Sequence, residues 1–171
     1  LRETSIDPLF AAYKQAFKML MTAGDVLKKV EAIIAFCKNY YDAILILTAK
    51  GSEIIHAKVI RIEKDKRIHQ QSLKGTIATL DQDPVLQAVQ RSGIGFFGQV
   101  FPSAVLDKLV KSPAPGECAL LPVLNTPQLS MFFYASSQTI HAGLSPHHYL
   151  ELLSWLITPA EKFAAAAPAV G

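Results

Sequence analysis

Five histidines and two cysteines carry the widest chemical repertoire in this chain, and their spacing argues against a catalytic centre. His147 and His148 are adjacent at the start of a helical pattern. Neighbours on a helix point about 100° apart, so the pair cannot easily chelate one metal. His56 belongs to a strand-like alternation, His69 to a polar stretch and His141 to the turn before the last helix. His147 can titrate near neutral pH, and the positive end of its helix would lower its pKa.

Cys37 and Cys118 form no CxxC pair and have no Cys/His cluster around them. They read as free thiols of a reducing cytoplasm, acting as small buried hydrophobes. A nucleophilic thiol would need a base and an electropositive opening, which no Cys/His spacing supplies. No serine follows a G-x-S-x-G elbow. Lys74-Gly75-Thr76 resembles the tail of a phosphate loop, but the glycine-rich portion ahead of it is absent. The expectation is no catalytic residue, no metal ligand set and no cofactor that the sequence can name.

Composition points the same way. The chain has 171 residues, half of them hydrophobic and 18% charged, which suits one compact domain over residues 1–171. The net charge of +3 is too mild for a nucleic-acid surface. Its densest charged stretch, Lys58 to Arg67, alternates signs like a solvated strand end and lacks interleaved aromatics. Apolar runs break within about 8 residues, short of a membrane span, so neither nucleic acid nor membrane is an expected partner. Leu1 at the start suggests a piece cut from a longer polypeptide or a chain whose start is missing, and the Ala/Pro-rich 163–171 looks like the start of a linker.

The elements that would position these residues are legible in outline. Asp7 or Ser5 caps a helix over 8–22, with Pro8 at its first position and Leu9, Ala12, Tyr13, Ala16, Phe17 and Leu20 inward. Asp25 caps a second helix with Val26, Leu27, Val30, Ile33, Ile34 and Cys37 inward. The continuous apolar run 43–49 reads as a central strand buried on both faces, and 53–62 as its partner. Residues 63–80 are polar and without period, which predicts a long loop crossing the sheet.

A helix then starts at Asp83-Pro84 and ends at Gly93, a short strand covers 96–100, and a short helix runs from Pro102 to Val110. Strands 117–124 and 128–136, joined by Asn125-Thr-Pro-Gln, form a hairpin. Ser145 caps the last helix, with Pro146 first; Pro159 kinks or restarts it at a fresh cap including Glu161, toward residue 167. The order predicts an α/β (α+β) fold, one antiparallel sheet of five to six strands flanked by N- and C-terminal helices.

This order resembles a GAF domain, of the kind attached to bacterial regulatory proteins. The resemblance rests on Tyr41-Asp-Ala-Ile-Leu-Ile-Leu47, on the segment from Asp83 to Gly98, and on Cys118-Ala-Leu-Leu-Pro-Val-Leu124 with Met131-Phe-Phe-Tyr-Ala135. These are hydrophobic patterns that together cover the chain. Neither the Asn-Lys…Phe…Asp…Glu pattern of cyclic-nucleotide-binding members nor the cysteine pattern of tetrapyrrole-binding or methionine-sulfoxide-reducing members can be placed here. The resemblance implies a non-catalytic sensory module in the cytoplasm, with a small molecule, a second copy or a signalling partner as ligand. A ligand-free scaffold domain, roadblock- or PAS-like, is the alternative.

In such a fold a ligand lies between the sheet and the crossing segment, here residues 63–92. Gly93–Gly98 carries three glycines and two phenylalanines beside the sheet. It is either turn geometry with core packing or one wall of a pocket. Candidate pocket residues are Phe96, Phe97, Met131, Phe133 and Tyr134, with alternate members facing opposite ways; a pocket filled by protein atoms is the opposite outcome. The terminal helices carry more apolar surface than one sheet face covers. Met19, Leu20, Trp155, Leu156 and Phe163 are therefore candidates for a homodimer interface.

Overall fold

The computed structural model describes residues 7–110, 116–139 and 145–157. The elements are α1 (Pro8–Thr22), α2 (Val26–Cys37), β1 (Ala43–Lys50), β2 (Glu53–Ile62), β3 (Ile68–Thr79), α3 (Pro84–Ser92), β4 (Phe96–Gln99), α4 (Ala104–Leu109), β5 (Glu117–Asn125), β6 (Leu129–Ser137) and α5 (Pro146–Ile157). The strands form one antiparallel sheet in the order β3-β2-β1-β6-β5-β4. The fold class expected from the sequence is the one observed.

The sheet is covered on both sides, which explains why its central strands are uninterrupted apolar runs. Along β1, Ile44 and Ile46 join the core beneath α1, α2 and α5, while Leu45 and Leu47 join the core beneath α3 and α4. Phe133 and Ala135 of β6 face the first set of helices, and Phe132 and Tyr134 the second. Each strand residue changes faces with its neighbour, as a pleated backbone requires.

Residues 63–80 correct the sequence reading. They are not a long loop: a turn leads into β3, a twelve-residue strand that pairs with β2 through 68–74 and 78–79 around a bulge, and then into a short 3-10 turn at Leu80–Gln82. β3 is an edge strand exposed on both faces for most of its length. Period-2 alternation exists only where one face is buried, so this strand carried no such signal.

The starts of α1, α2 and α3 are set by carboxylates. Asp7 Oδ1 accepts from Leu9 N at 3.0 Å, and Asp25 Oδ1 accepts from Lys28 N at 2.8 Å. Asp83 Oδ1 accepts from Val85 N and Leu86 N at 2.9 and 3.1 Å, and α3 ends at Gly93, whose φ of 69° suits a residue without Cβ. Ser103 caps α4, accepting from Leu106 N at 2.9 Å, and donates its hydroxyl proton to Asp83 Oδ2. One buried carboxylate thus ties the starts of two helices together over the sheet.

α1 and α2 lie against the other face, with Ala16, Leu20, Val30, Ile33, Phe36 and Cys37 buried between them and the strands. α5 adds Tyr149, Leu150, Leu153 and Ile157 to the same core. The kink or restart expected at Pro159, the Glu161 cap and the extension toward 167 lie outside the described residues, as do His141, Phe163 and Ser5.

Candidate functional site

The pocket residues proposed from the sequence do not converge on one side of the sheet. Phe96 and Tyr134 face the α3 and α4 side; Phe97, Met131 and Phe133 face the α1, α2 and α5 side. Where the crossing segment covers the sheet, Tyr134 and Phe132 are fully buried among Leu86, Val89, Val105, Leu106 and Leu109. Described side chains pack against one another there. Gly95 has a packing reason as well: a Cβ on it would stand 2.8 Å from the Leu121 side chain and 3.1 Å from the Leu120 carbonyl oxygen.

Phe97 takes part in a different arrangement. Its ring meets the His147 imidazole edge-on, with centroids 5.5 Å apart at 81°. His147 Nδ1 lies 3.1 Å from the Tyr41 hydroxyl, and its buried Nε2 has no hydrogen-bond partner. Burial, above all, lowers the His147 pKa from the ordinary imidazole value, partly offset by the Glu117 carboxylate. Burial, rather than the helix end expected from the sequence, dominates that shift.

The other described histidines are dispersed. His148 is exposed, with Nδ1 3.0 Å from Ser145 Oγ. His69 Nε2 stands 3.3 Å from Glu63 Oε2 in an exposed cluster where Arg67 also bonds Glu63 and Asp65. An open groove of about 540 Å³ beside that cluster is lined by Asp42, Ile62, Glu63, Lys64, Asp65, Arg67 and Gln138. Among the described residues no group of three or more histidines, cysteines or carboxylates is arranged to hold a metal ion.

Neither thiol is activated. Cys37 is fully buried and its pKa is raised well above the ordinary value by that burial. Burial also pushes Cys118 up to about 12, against weaker lowering by Tyr134 and the Phe101 backbone. A thiolate nucleophile needs the opposite shift.

The outer surface of the terminal helices is more distinctive. Among the described residues, eight large hydrophobic side chains are exposed: Phe10, Phe17, Met21, Leu27, Leu152 and Trp155 on α1, α2 and α5, and only Ile68 and Ile94 elsewhere. Trp155 is 74% exposed and Met21 62%. α1 and α5 are in contact through Phe10 and Tyr13 against Tyr149.

Of the interface candidates read from the sequence, Trp155 stands on this surface, while Met19 and Leu156 are partly buried against the core. Leu20 leaves the set: it is 4% exposed and faces the chain's own core. Of the exposed residues Phe10, Phe17 and Met21, Phe10 was missed and Phe17 was read as inward. Their i, i+7, i+11 spacing was a readable second stripe, but Phe17 fits the inward stripe almost as well.

No protein-family model matches the sequence, and no curated protein matches it either. The folded chain is nevertheless similar to solved structures. One is the GAF domain of a phosphoenolpyruvate-protein phosphotransferase from Coxiella burnetii, 11% identical, covering 94% of this chain and 96% of that one with a TM-score of 0.50. The GAF domain of the Acinetobacter phosphoenolpyruvate-protein phosphotransferase is 10% identical over 97% and 98%, at 0.51. A free methionine-R-sulfoxide reductase from Neisseria meningitidis, solved with its substrate, is 11% identical over 96% and 95%, at 0.52. At such identities the likeness concerns the fold, and it includes an enzyme beside the phosphotransferase domains. The chain therefore folds as a GAF-like domain.

Proposed function

We propose that this chain is a non-catalytic regulatory module of bacterial signal transduction that works by self-association through the face of α1 and α5. The supporting observation is the concentration of exposed apolar side chains there: Phe10, Phe17 and Met21 on α1, and Leu152 and Trp155 on α5. An apolar patch shared by two helices favours an interface over solvent.

Charge favours a second copy as the occupant. The formal charges of α1 are Lys14 and Lys18, and the formal charge of α5 is Glu151. A two-fold pairing that lays α1 of one copy on α5 of the other brings opposite signs together twice. Of the two roles implied by the resemblance, ligand sensing and dimerisation, the geometry supports dimerisation better. A small molecule at the crossing segment would have to displace the side chains packed around Tyr134 and Phe132. The elevated thiol pKa values support the non-catalytic reading. The setting is the cytoplasm, with signalling partners or adjoining domains receiving the output.

Hydrogen exchange at low and high protein concentration tests this reading. Amides of α1 and α5 should gain protection as concentration rises, with β3 and α3 unchanged. Protection gained only along β3, or none anywhere, would overturn it.

A further inference from the structure

The seat of α5 on the sheet contains a group that the association face does not use. His147, in the first turn of α5, is clamped between the Tyr41 hydroxyl, 3.1 Å from Nδ1, and the edge of the Phe97 ring. Its Nε2 is buried without a hydrogen-bond partner. Nδ1 and the Tyr41 hydroxyl share a hydrogen bond whose donor is set by the tautomer of the neutral ring. A second proton would place a charge on a partly buried ring at the positive end of the helix, where burial outweighs the Cys118 backbone group that favours the charged form.

We propose that protonation of His147 loosens α5 from the sheet, so that its share of the association face is withdrawn as pH falls below neutral. The device rests on the self-association reading only for its consequence; the loosening itself belongs to the single chain. The groups around the ring come from several elements. Tyr41 precedes β1 and is itself close to Cys37 of α2. Glu117 and Cys118 come from β5, and His148 and Glu151 from α5. The carboxylates of Glu117 and Glu151 and a hydrogen bond with the Cys118 backbone favour the charged ring, His148 pushes against it, and burial outweighs them all.

The direction follows from linkage. A histidine whose folded pKa lies below its unfolded value leaves stability intact above the unfolded value, about 6.5. That stability is lost as pH falls through the folded value.

Hydrogen exchange of the wild-type chain at about pH 7.5 and about pH 5.5, corrected for intrinsic rates, reads the loosening directly. Exchange of α5 relative to β1 should rise at the lower pH, by up to about tenfold for each unit by which the His147 pKa is depressed. His147→Gln keeps a polar partner for Tyr41 but cannot be protonated, and should abolish the rise. An NMR titration of the wild-type ring needs no variant: His147 should titrate below the ordinary imidazole value. An α5 that does not respond, a response retained in His147→Gln, or a ring titrating at the ordinary value would each overturn the proposal. Sedimentation at both pH values separates the two readings. If α5 loosens in a chain that is monomeric throughout, self-association fails and the acid response stands. A dimer with an unresponsive α5 gives the reverse.

Discussion

The rings of Tyr13 and Tyr149 meet across the seam of α1 and α5, with centroids 4.8 Å apart and planes tilted by 32°. Phe10 adds its ring 6.2 Å from Tyr13 and 6.3 Å from Tyr149. The three rings join two helices from opposite ends of the sequence on one side of the sheet.

Tyr149 is 7% exposed, so Tyr149→Ala should destabilise the fold by about 3–5 kcal/mol, read from urea unfolding. It should also weaken association more than its own exposed area would suggest. A loss under about 1 kcal/mol would mean that the seam does not hold the helices together.

Asp83 and Ser103 form the corresponding clasp on the opposite face. Asp83→Ala should cost about 1–3 kcal/mol, because it frees two helix N–H groups and the Ser103 hydroxyl. Ser103→Ala should cost about 0.5–2 kcal/mol. The pair shares one hydrogen bond, so a double-mutant cycle should return a coupling of at least about 0.5 kcal/mol. Additive losses would show that α3 and α4 are capped independently.

Packing beneath α3 and α4 can be probed by truncation and by ligands. Leu86 and Phe132 are buried there, so Leu86→Ala should cost about 2–5 kcal/mol and Phe132→Ala about 3–5. A thermal-shift screen with nucleotides, cyclic nucleotides, haem, amino acids and small carboxylates should be blank. A ligand at 100 times its Kd stabilises by about 2.7 kcal/mol, which such a screen detects. A hit abolished by substituting Tyr134 would move the function to this face.

The thiols should behave as core groups. Alkylation at neutral pH should be slow in the folded chain and fast once it unfolds. Cys118 has its folded pKa raised above the ordinary 9.0 to about 12. Its contribution is complete below pH 9 and is lost as pH rises toward 12, so stability should decline across that alkaline window. Rapid alkylation of the native chain would reopen a catalytic reading.

Much of the fold was legible because its central strands are buried on both sides and its helices carry their own start signals. Asp7, Asp25 and Asp83 each cap the helix that follows, whereas α4 was read as opening at Pro102 and is capped by Ser103. β3 was not legible, since a strand open to water on both faces loses the alternation that marks it. The site was legible only in part. Trp155 stood out by its size, but Leu20 and Phe17 occupy neighbouring helical angles, and only packing reveals which one is buried. The Tyr41–His147 pair joins residues 106 positions apart, which no local pattern can bring together.

Sedimentation velocity over a concentration series, on the wild-type chain and on a Phe17→Glu, Trp155→Glu double variant, tests the self-association claim most directly. Both residues are exposed at 39% and 74%, so the double variant should fold normally. The wild type should shift from monomer to dimer as concentration rises, while the variant stays monomeric. A wild type that remains monomeric throughout, or a variant that dimerises as well as the wild type, would contradict the account.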